Sequence, residues 1–206
     1  TGLSGKFGGL PQFTLQNFIA NPDLKPETTN ANEVGLELSF LDGRMTFDGS
    51  WYDRKTKNQI FTIPVSGTSG FQSKAVNAGQ ISNRGIDFLF GVTPIQTAGG
   101  ATWNSTFNYS RNKSMVDQLA PGITTFVIGS SWYTNIEARQ GQPYGSIFGY
   151  AFERDPNTGK IYTDGGITVL GSERKILGNI QPKWTGGWSN TVSFKNVTLS
   201  ALLDFR

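Results

Sequence analysis

Two residue types are missing outright: the 206 residues include no cysteine and no histidine. Without cysteine there is no disulfide framework and no thiolate nucleophile. Without either residue, a Ser-His-Asp triad, a Cys-His pair and nearly every zinc site are impossible. Long apolar runs are absent too, and the mean hydropathy is −0.30. That excludes a transmembrane helix but not a barrel, because alternating strands average to a polar mean. Neither a Gly-Lys-Ser/Thr phosphate loop nor a dinucleotide fingerprint appears. No stretch resembles a signal peptide and Thr1 is no natural start, so the chain is expected to be a processed product or a fragment. Charge is sparse, at 16% of residues with a net +3 and a pI near 9.2. The basic residues are scattered, and the small cluster Arg54, Lys55 and Lys57 reads as the solvated base of a loop rather than a nucleic-acid site.

The remaining chemistry is thin. Glu33 and Glu37 share a strand face but lie four residues apart, roughly 13 Å at about 3.3 Å per residue, too far for a glycosidase pair on one strand. The run Asp155-Pro156-Asn157-Thr158-Gly159-Lys160, with Asp164 beyond it, faintly resembles a calcium loop. It lacks the acidic ligand pattern and the terminal glutamate, so it reads as a turn. The sequons at Asn104, Asn108, Asn112 and Asn196 read as polarity of strands and turns. No catalytic, cofactor or metal site is expected, and no enzyme.

What the chain has is alternation. Val34, Leu36, Leu38 and Phe40 alternate with Glu33, Gly35, Glu37 and Ser39. Beyond Leu41-Asp42-Gly43, Met45, Phe47 and Trp51 alternate with Thr46, Asp48 and Ser50. Period two means strand, and Asp-Gly between two such runs signals a hairpin. A second pair sets Ile86, Phe88, Phe90 and Val92, then Trp103, Phe107 and Tyr109, on one face, with a turn over Pro94 to Gly100. A third sets Trp188, Val192 and Phe194, then Val197, Leu199, Ala201, Leu203 and Phe205, around Lys195-Asn196. The opposite faces carry Thr, Ser, Asn, Asp and Gly. Turns inside each pair are tight and joins between pairs are long, which is how a transmembrane β-barrel is laid out.

A soluble antiparallel sandwich would also give strands with one apolar face. Three details favour the barrel. The second face suits a polar lumen. Trp51, Tyr52, Tyr109, Trp184 and Trp188 fall toward the strand ends that meet the long loops, where an aromatic girdle would sit. The strands run roughly 9 to 11 residues, enough to cross a bilayer at a tilt. The expected fold is all-β, an antiparallel up-and-down barrel segment of about six strands of a larger barrel.

At this point the residues carry a resemblance. Asn21-Pro22-Asp23-Leu24-Lys25-Pro26-Glu27-Thr28-Thr29, followed by Trp51-Tyr52-Asp53-Arg54-Lys55-Thr56-Lys57-Asn58-Gln59-Ile60, resembles a passage of SusC/RagA-type TonB-dependent outer-membrane transporters. Asn77-Ala78-Gly79-Gln80-Ile81-Ser82-Asn83-Arg84-Gly85-Ile86-Asp87 is similar to a strand entry seen widely in TonB-dependent barrels. Leu177-Gly178-Asn179-Ile180-Gln181-Pro182-Lys183-Trp184-Thr185-Gly186-Gly187-Trp188 and Leu202-Leu203-Asp204-Phe205-Arg206 resemble elements of the SusC branch. The matches run from about Asn21 to Arg206. Gly79, Gly85, Gly186 and Gly187 read as sites of bulges or close backbone approach, and Pro22, Pro26 and Pro182 as strand entries, all architectural.

The resemblance implies an importer of oligomeric nutrients in a Gram-negative outer membrane, with oligosaccharide and in some members oligopeptide cargo. It further implies a SusD-like lipoprotein cap, a plug, and a TonB complex pulling on an N-terminal segment. Residues 1–206 then form a partial barrel domain without plug or TonB-contacting segment. With short turns periplasmic, the strands near 32–40, 83–93 and 184–194 run downward and those near 44–54, 101–111 and 197–206 upward. The spans 55–80 and 112–182 are expected to be extracellular. Trp132 and Tyr133 are the candidate cargo contacts in the longer one, where Tyr144, Phe148, Tyr150 and Phe152 also gather. Alternatives are a receptor for a siderophore or other metal chelate, and a soluble β-sandwich binding or adhesin module.

Overall fold

In the computed structural model the backbone is described for residues 2–7, 10–14, 17–77 and 79–206, and the side chains for 17–63, 65–77 and 79–206. Thr1 and, within the Asn77–Asp87 motif, Ala78 lie outside the described residues. The strands are β1 (Gly2–Phe7), β2 (Leu10–Thr14), β3 (Phe18–Ile19), β4 (Thr28–Phe40), β5 (Met45–Lys57), β6 (Ile60–Pro64), β7 (Ser73–Asn77), β8 (Gly79–Gln96) and β9 (Ala101–Leu119). They continue as β10 (Thr125–Ser131), β11 (Thr134–Arg139), β12 (Ser146–Phe152), β13 (Thr163–Asp164), β14 (Ile167–Thr168), β15 (Leu170–Asn179), β16 (Thr185–Phe194) and β17 (Val197–Phe205). Three hairpins, β4–β5, β8–β9 and β16–β17, join edge to edge into one six-stranded sheet in the order β17-β16-β9-β8-β5-β4. All its pairings are antiparallel.

Register turns the period-two pattern into two chemically distinct surfaces. Leu38, Phe47, Phe90, Phe107, Trp188 and Leu203 stand opposite one another in a single row across all six strands. One residue away on the other face runs Glu37, Asp48, Leu89, Asn108, Gly187 and Asp204. Aromatic rings knit the first face, directly across for Phe88–Tyr109 with centroids 5.1 Å apart and diagonally for Phe88–Phe107 at 6.0 Å and Tyr109–Trp184 at 5.8 Å. The two polar side chains inside this band are satisfied by indoles: Trp188 Nε1 donates to Ser105 Oγ at 2.8 Å and Trp103 Nε1 to Asn190 Oδ1 at 3.1 Å. Each pairing removes a polar group that would otherwise be costly in an apolar medium.

Nothing among the described residues covers that apolar face. Val34 is 68% exposed, Leu199 72% and Phe194 52%. Among the described residues the buried apolar side chains are Phe61, Ala75, Ile81, Val116, Leu119 and Ala138, all at the long-loop end. A sandwich would bury the row through Phe90 against a second sheet; among the described residues no second sheet packs there. From Ile86 to Ile95 the band spans roughly 30 Å along β8, or about 23 Å at a tilt near 40°, close to the ~25 Å apolar belt of a membrane barrel. One row above Trp51 and Ile86 the same face turns ionic, with Arg84 Nε 3.1 Å from Asp53 Oδ1.

The structure corrects several sequence expectations. The strands β4, β5, β8 and β9 have 13, 13, 18 and 19 residues; they continue past the apolar band because backbone pairing persists where the side chains have become polar. Residues 112–119 accordingly extend β9. Pro94 lies within β8 rather than in the turn, at a register shift between Val92 and Ile95 where the missing N–H is tolerated. Tyr52 points to the polar face, level with Gly85, and donates to Asn112 Oδ1 at 3.4 Å, so it belongs to no lipid girdle. Trp188 sits in the middle row, because register and not distance from the strand end sets its height. Trp51, Tyr109 and Trp184 keep their place at the loop end.

Candidate functional site

The tight turns lie at Leu41–Arg44, Thr97–Gly100 and Lys195-Asn196, and the long joins at the opposite end fold into sheets of their own. β3, β7 and β6 form a three-stranded sheet, and β10, β11, β12 and β15 a four-stranded one. Phe61, Ile81, Val116, Leu119 and Ala138 make the core between them and the wall, with Tyr144 packed alongside. The rings of Phe61 and Phe126 pack at a tilt of 40° with centroids 5.0 Å apart. Ile81 and Val116 have the same alternation as Asp87 and Ser110, so this core lies over the polar face of the wall.

Backbone bonds fasten the four-stranded sheet. β16 leaves β9 at Ser110; farther along, Gln140–Tyr144 takes up a place beside β9. Val116 N donates to Gln142 O at 3.0 Å, Gly141 N to Val116 O at 2.8 Å and Tyr144 N to Ser114 O at 3.1 Å. The Tyr144 phenol is held above its ordinary pKa by burial in this contact. The long join is thus a built extension of the wall.

The other face of the four-stranded sheet carries a charged and aromatic cluster. Glu137 is buried, and its carboxylate accepts from Arg139 Nε at 2.6 Å and from Asn135 Nδ2 at 3.1 Å. The Arg139 guanidinium lies 3.7 Å from the Phe148 ring centroid, a close cation–π contact. Arg174, from β15, approaches the same ring at 5.9 Å and the Tyr150 ring at 6.0 Å, and its Nη2 donates to Phe148 O at 3.0 Å. A cavity of about 520 Å³ opens beside this cluster, lined in part by Thr125, Arg139, Gln140, Phe148 and Arg174. That is within the range of small-ligand sites.

Trp132 and Tyr133 occupy the tip of the β10–β11 hairpin, 96% and 68% exposed. The Thr125–Arg139 pair at the cavity lies six residues back, roughly 20 Å along the strand; the structure does not bring the two features together. Phe148 and Tyr150 do reach the cluster. Arg139 and Arg174 had no sequence signal, since they meet only through strand pairing across 35 residues. Among the other singled-out groups, Arg54 pairs with Glu33 at 3.5 Å between half-exposed side chains, and Ser110 donates to Asp87. Asp155 Oδ1 accepts from the N–H of Asn157 at 2.7 Å and of Thr158 at 2.9 Å, and these bonds, that of Thr158 first, hold its pKa below the carboxylate norm.

A wall apolar outside, polar inside and built over on its polar side at one end fits a plugged or capped barrel better than any compact domain. The family model described as "TonB dependent receptor-like, beta-barrel" matches residues 3–201. The chain belongs to this family of TonB-dependent receptors.

Relatives of this receptor segment include TonB-dependent receptor P3 of Formosa agariphila, 29% identical over 207 residues, covering 88% of this chain and 20% of that protein. TonB-dependent receptor SusC of Bacteroides thetaiotaomicron is 30% identical over 117 residues, covering 56% of this chain and 12% of that protein. A solved structure described as "Structure of the RagAB peptide transporter" superposes with a TM-score of 0.75 at 23% identity, over 98% of this chain and 23% of that one. That likeness shows the fold. The chain spans about a fifth or less of the length of the curated relatives it matches.

Proposed function

We propose that this receptor segment forms part of the wall and mouth of an outer-membrane transporter of a Gram-negative bacterium that imports oligomeric nutrients, glycans or oligopeptides. The bare apolar face carries the reading: six strands offer a continuous lipid-matching band on one side and Ser, Thr, Asn and Gly on the other, as a hydrated lumen requires. The relatives' names support the transport class: one is SusC, and one structural neighbour is described as a peptide transporter. Residues 1–206 are read as part of the barrel domain, with plug and TonB-contacting segment supplied by other residues of the receptor. A TonB complex would then energise import.

Residues 112–182 form the extracellular region in this reading. Its folded core over the polar face supports a role at the barrel mouth, under a SusD-like lipoprotein. Trp132, almost wholly exposed at a hairpin tip beside Tyr133, suits contact with that lipoprotein or with cargo, because large exposed aromatics favour burial against a partner.

The test is growth of a bacterium carrying the full-length receptor on oligosaccharide or oligopeptide as sole carbon source. Growth should fail on deletion of the receptor and on loss of TonB, and return with the intact gene. Growth that depends on the receptor only under iron limitation would overturn the oligomer reading in favour of a metal chelate. Replacing Trp132 and Tyr133 by alanine should weaken cargo affinity or lipoprotein retention; unchanged uptake and retention would remove both roles.

A further inference from the structure

The cluster on the four-stranded loop sheet holds two guanidinium groups and one carboxylate. Glu137 is fully engaged by Arg139 and Asn135, and no carboxylate lies within ion-pair distance of Arg174 among the described residues. Arg174 is also anomalous in a second way: its Nε is buried without a hydrogen-bond partner, alone in this among the described side chains. An unpaired charged donor removed from water is expensive to leave unmet. Arg174 also lines an open cavity of about 520 Å³, so an acceptor entering that cavity can meet a guanidinium that has no carboxylate partner within the fold.

The geometry points to an anion subsite: we propose that the cavity between β10, β11, β12 and β15 binds a carboxylate or sulfate group of an acidic oligosaccharide, with Arg174 as its principal ligand. A planar guanidinium meets such oxyanions through paired N–H donors. The surrounding polar lining offers Thr124, Thr125, Gln140 and Gln142, each able to donate and accept as ring hydroxyls require. The Phe148 ring is already faced by both guanidiniums, which leaves Ile176 as the free apolar side chain of the lining, little for a peptide's apolar residues. The proposal rests on the reading of the receptor as an oligomer importer and narrows its cargo.

Calorimetric titration of the purified full-length receptor tests it. The probes are a tetrameric oligogalacturonate, its fully methyl-esterified form, a sulfated galactan tetrasaccharide and tetraglutamate. The oligogalacturonate or the sulfated tetrasaccharide should bind, the ester at least tenfold more weakly, and added salt should weaken the acidic probes selectively. Arg174→Met, which keeps an apolar stem, should lower acidic-probe affinity roughly ten- to a hundred-fold, the range of one charge-assisted hydrogen bond. Arg174→Lys should recover part of it. Limited proteolysis of the loop sheet in both variants checks that the fold persists. Equal affinity for acid and ester, an unchanged Arg174→Met, stronger binding of tetraglutamate, or no binding of either acidic sugar would each overturn the subsite. Receptor-dependent growth on neutral oligomers would stand through any of these results, so failure of the subsite is distinguishable from failure of the transport reading.

Discussion

Phe90→Arg in the full-length receptor probes the facing of the wall. Phe90 lies in the middle row, flanked in register by Phe47 and Phe107, with Phe88 and Val92 above and below it on the same strand. The apolar belt extends about four residues on either side, so the new guanidinium would sit near the bilayer midplane, where Arg on a lipid face costs about 2–4 kcal/mol. A value of 3 kcal/mol is roughly a hundred-fold in the folding equilibrium. The control is Asn108→Arg, one residue from Phe107 and level with Leu89 and Gly187 on the polar face. Asn108 is exposed, so its replacement should stay within about 0.5 kcal/mol, as for ordinary surface changes. Urea unfolding of both variants in lipid bilayers gives the two costs. Equal costs, or a larger one at Asn108, would refute the facing assignment.

Further outcomes follow from local geometry. Gly85→Val should destabilise the barrel by about 1–3 kcal/mol in the same unfolding assay, the range for overpacking, because a Cβ there overlaps the Tyr52 ring and the Arg111 carbonyl. Tyr52→Ala should relieve only part of this in a double-mutant cycle, since the carbonyl remains. Trp188→Phe leaves the Ser105 hydroxyl without its indole donor and should cost about 1–3 kcal/mol; adding Ser105→Ala should recover a measurable share. Asp155 has a depressed pKa, so the stability it lends its turn is present above the ordinary carboxylate value of 3.8 and is lost as pH falls through its lower folded value. Amide hydrogen exchange at Asn157 and Thr158, corrected for intrinsic rates, should therefore rise below that pH and be fast at neutral pH in Asp155→Ala.

The wall was legible in the sequence because a one-sided strand must alternate, and Phe47, Phe90 and Phe107 carry that alternation without interruption. Its upper limit was not, because pairing in β8 and β9 continues after the apolar residues stop; the sequence marks lipid contact, not strand length. Tyr52 illustrates a second limit. Grouping aromatics by position near a strand end ignores parity, and parity turns Tyr52 inward across Gly85. The loop sheet was hidden for a different reason. Its organising contacts, Arg139 and Arg174 on Phe148 and Phe61 on Phe126, are made across strands rather than along one, and no local period records them. Phe148 and Tyr150 stood out only as part of an aromatic-rich stretch, while the most conspicuous pair, Trp132 and Tyr133, lies at the hairpin tip away from the cavity.

The most direct test of the account is a single-cysteine scan along β8 in a cysteine-free full-length receptor in lipid bilayers, since this segment supplies no thiol of its own. Cysteines at Phe88, Phe90 and Val92 should be shielded from a water-soluble maleimide and, once spin-labelled, relaxed by oxygen dissolved in the lipid. Cysteines at Asp87, Leu89 and Gly91 should show the reverse. A profile without this two-residue alternation, or with its phase inverted, would contradict a wall whose apolar face meets lipid and whose polar face meets the lumen.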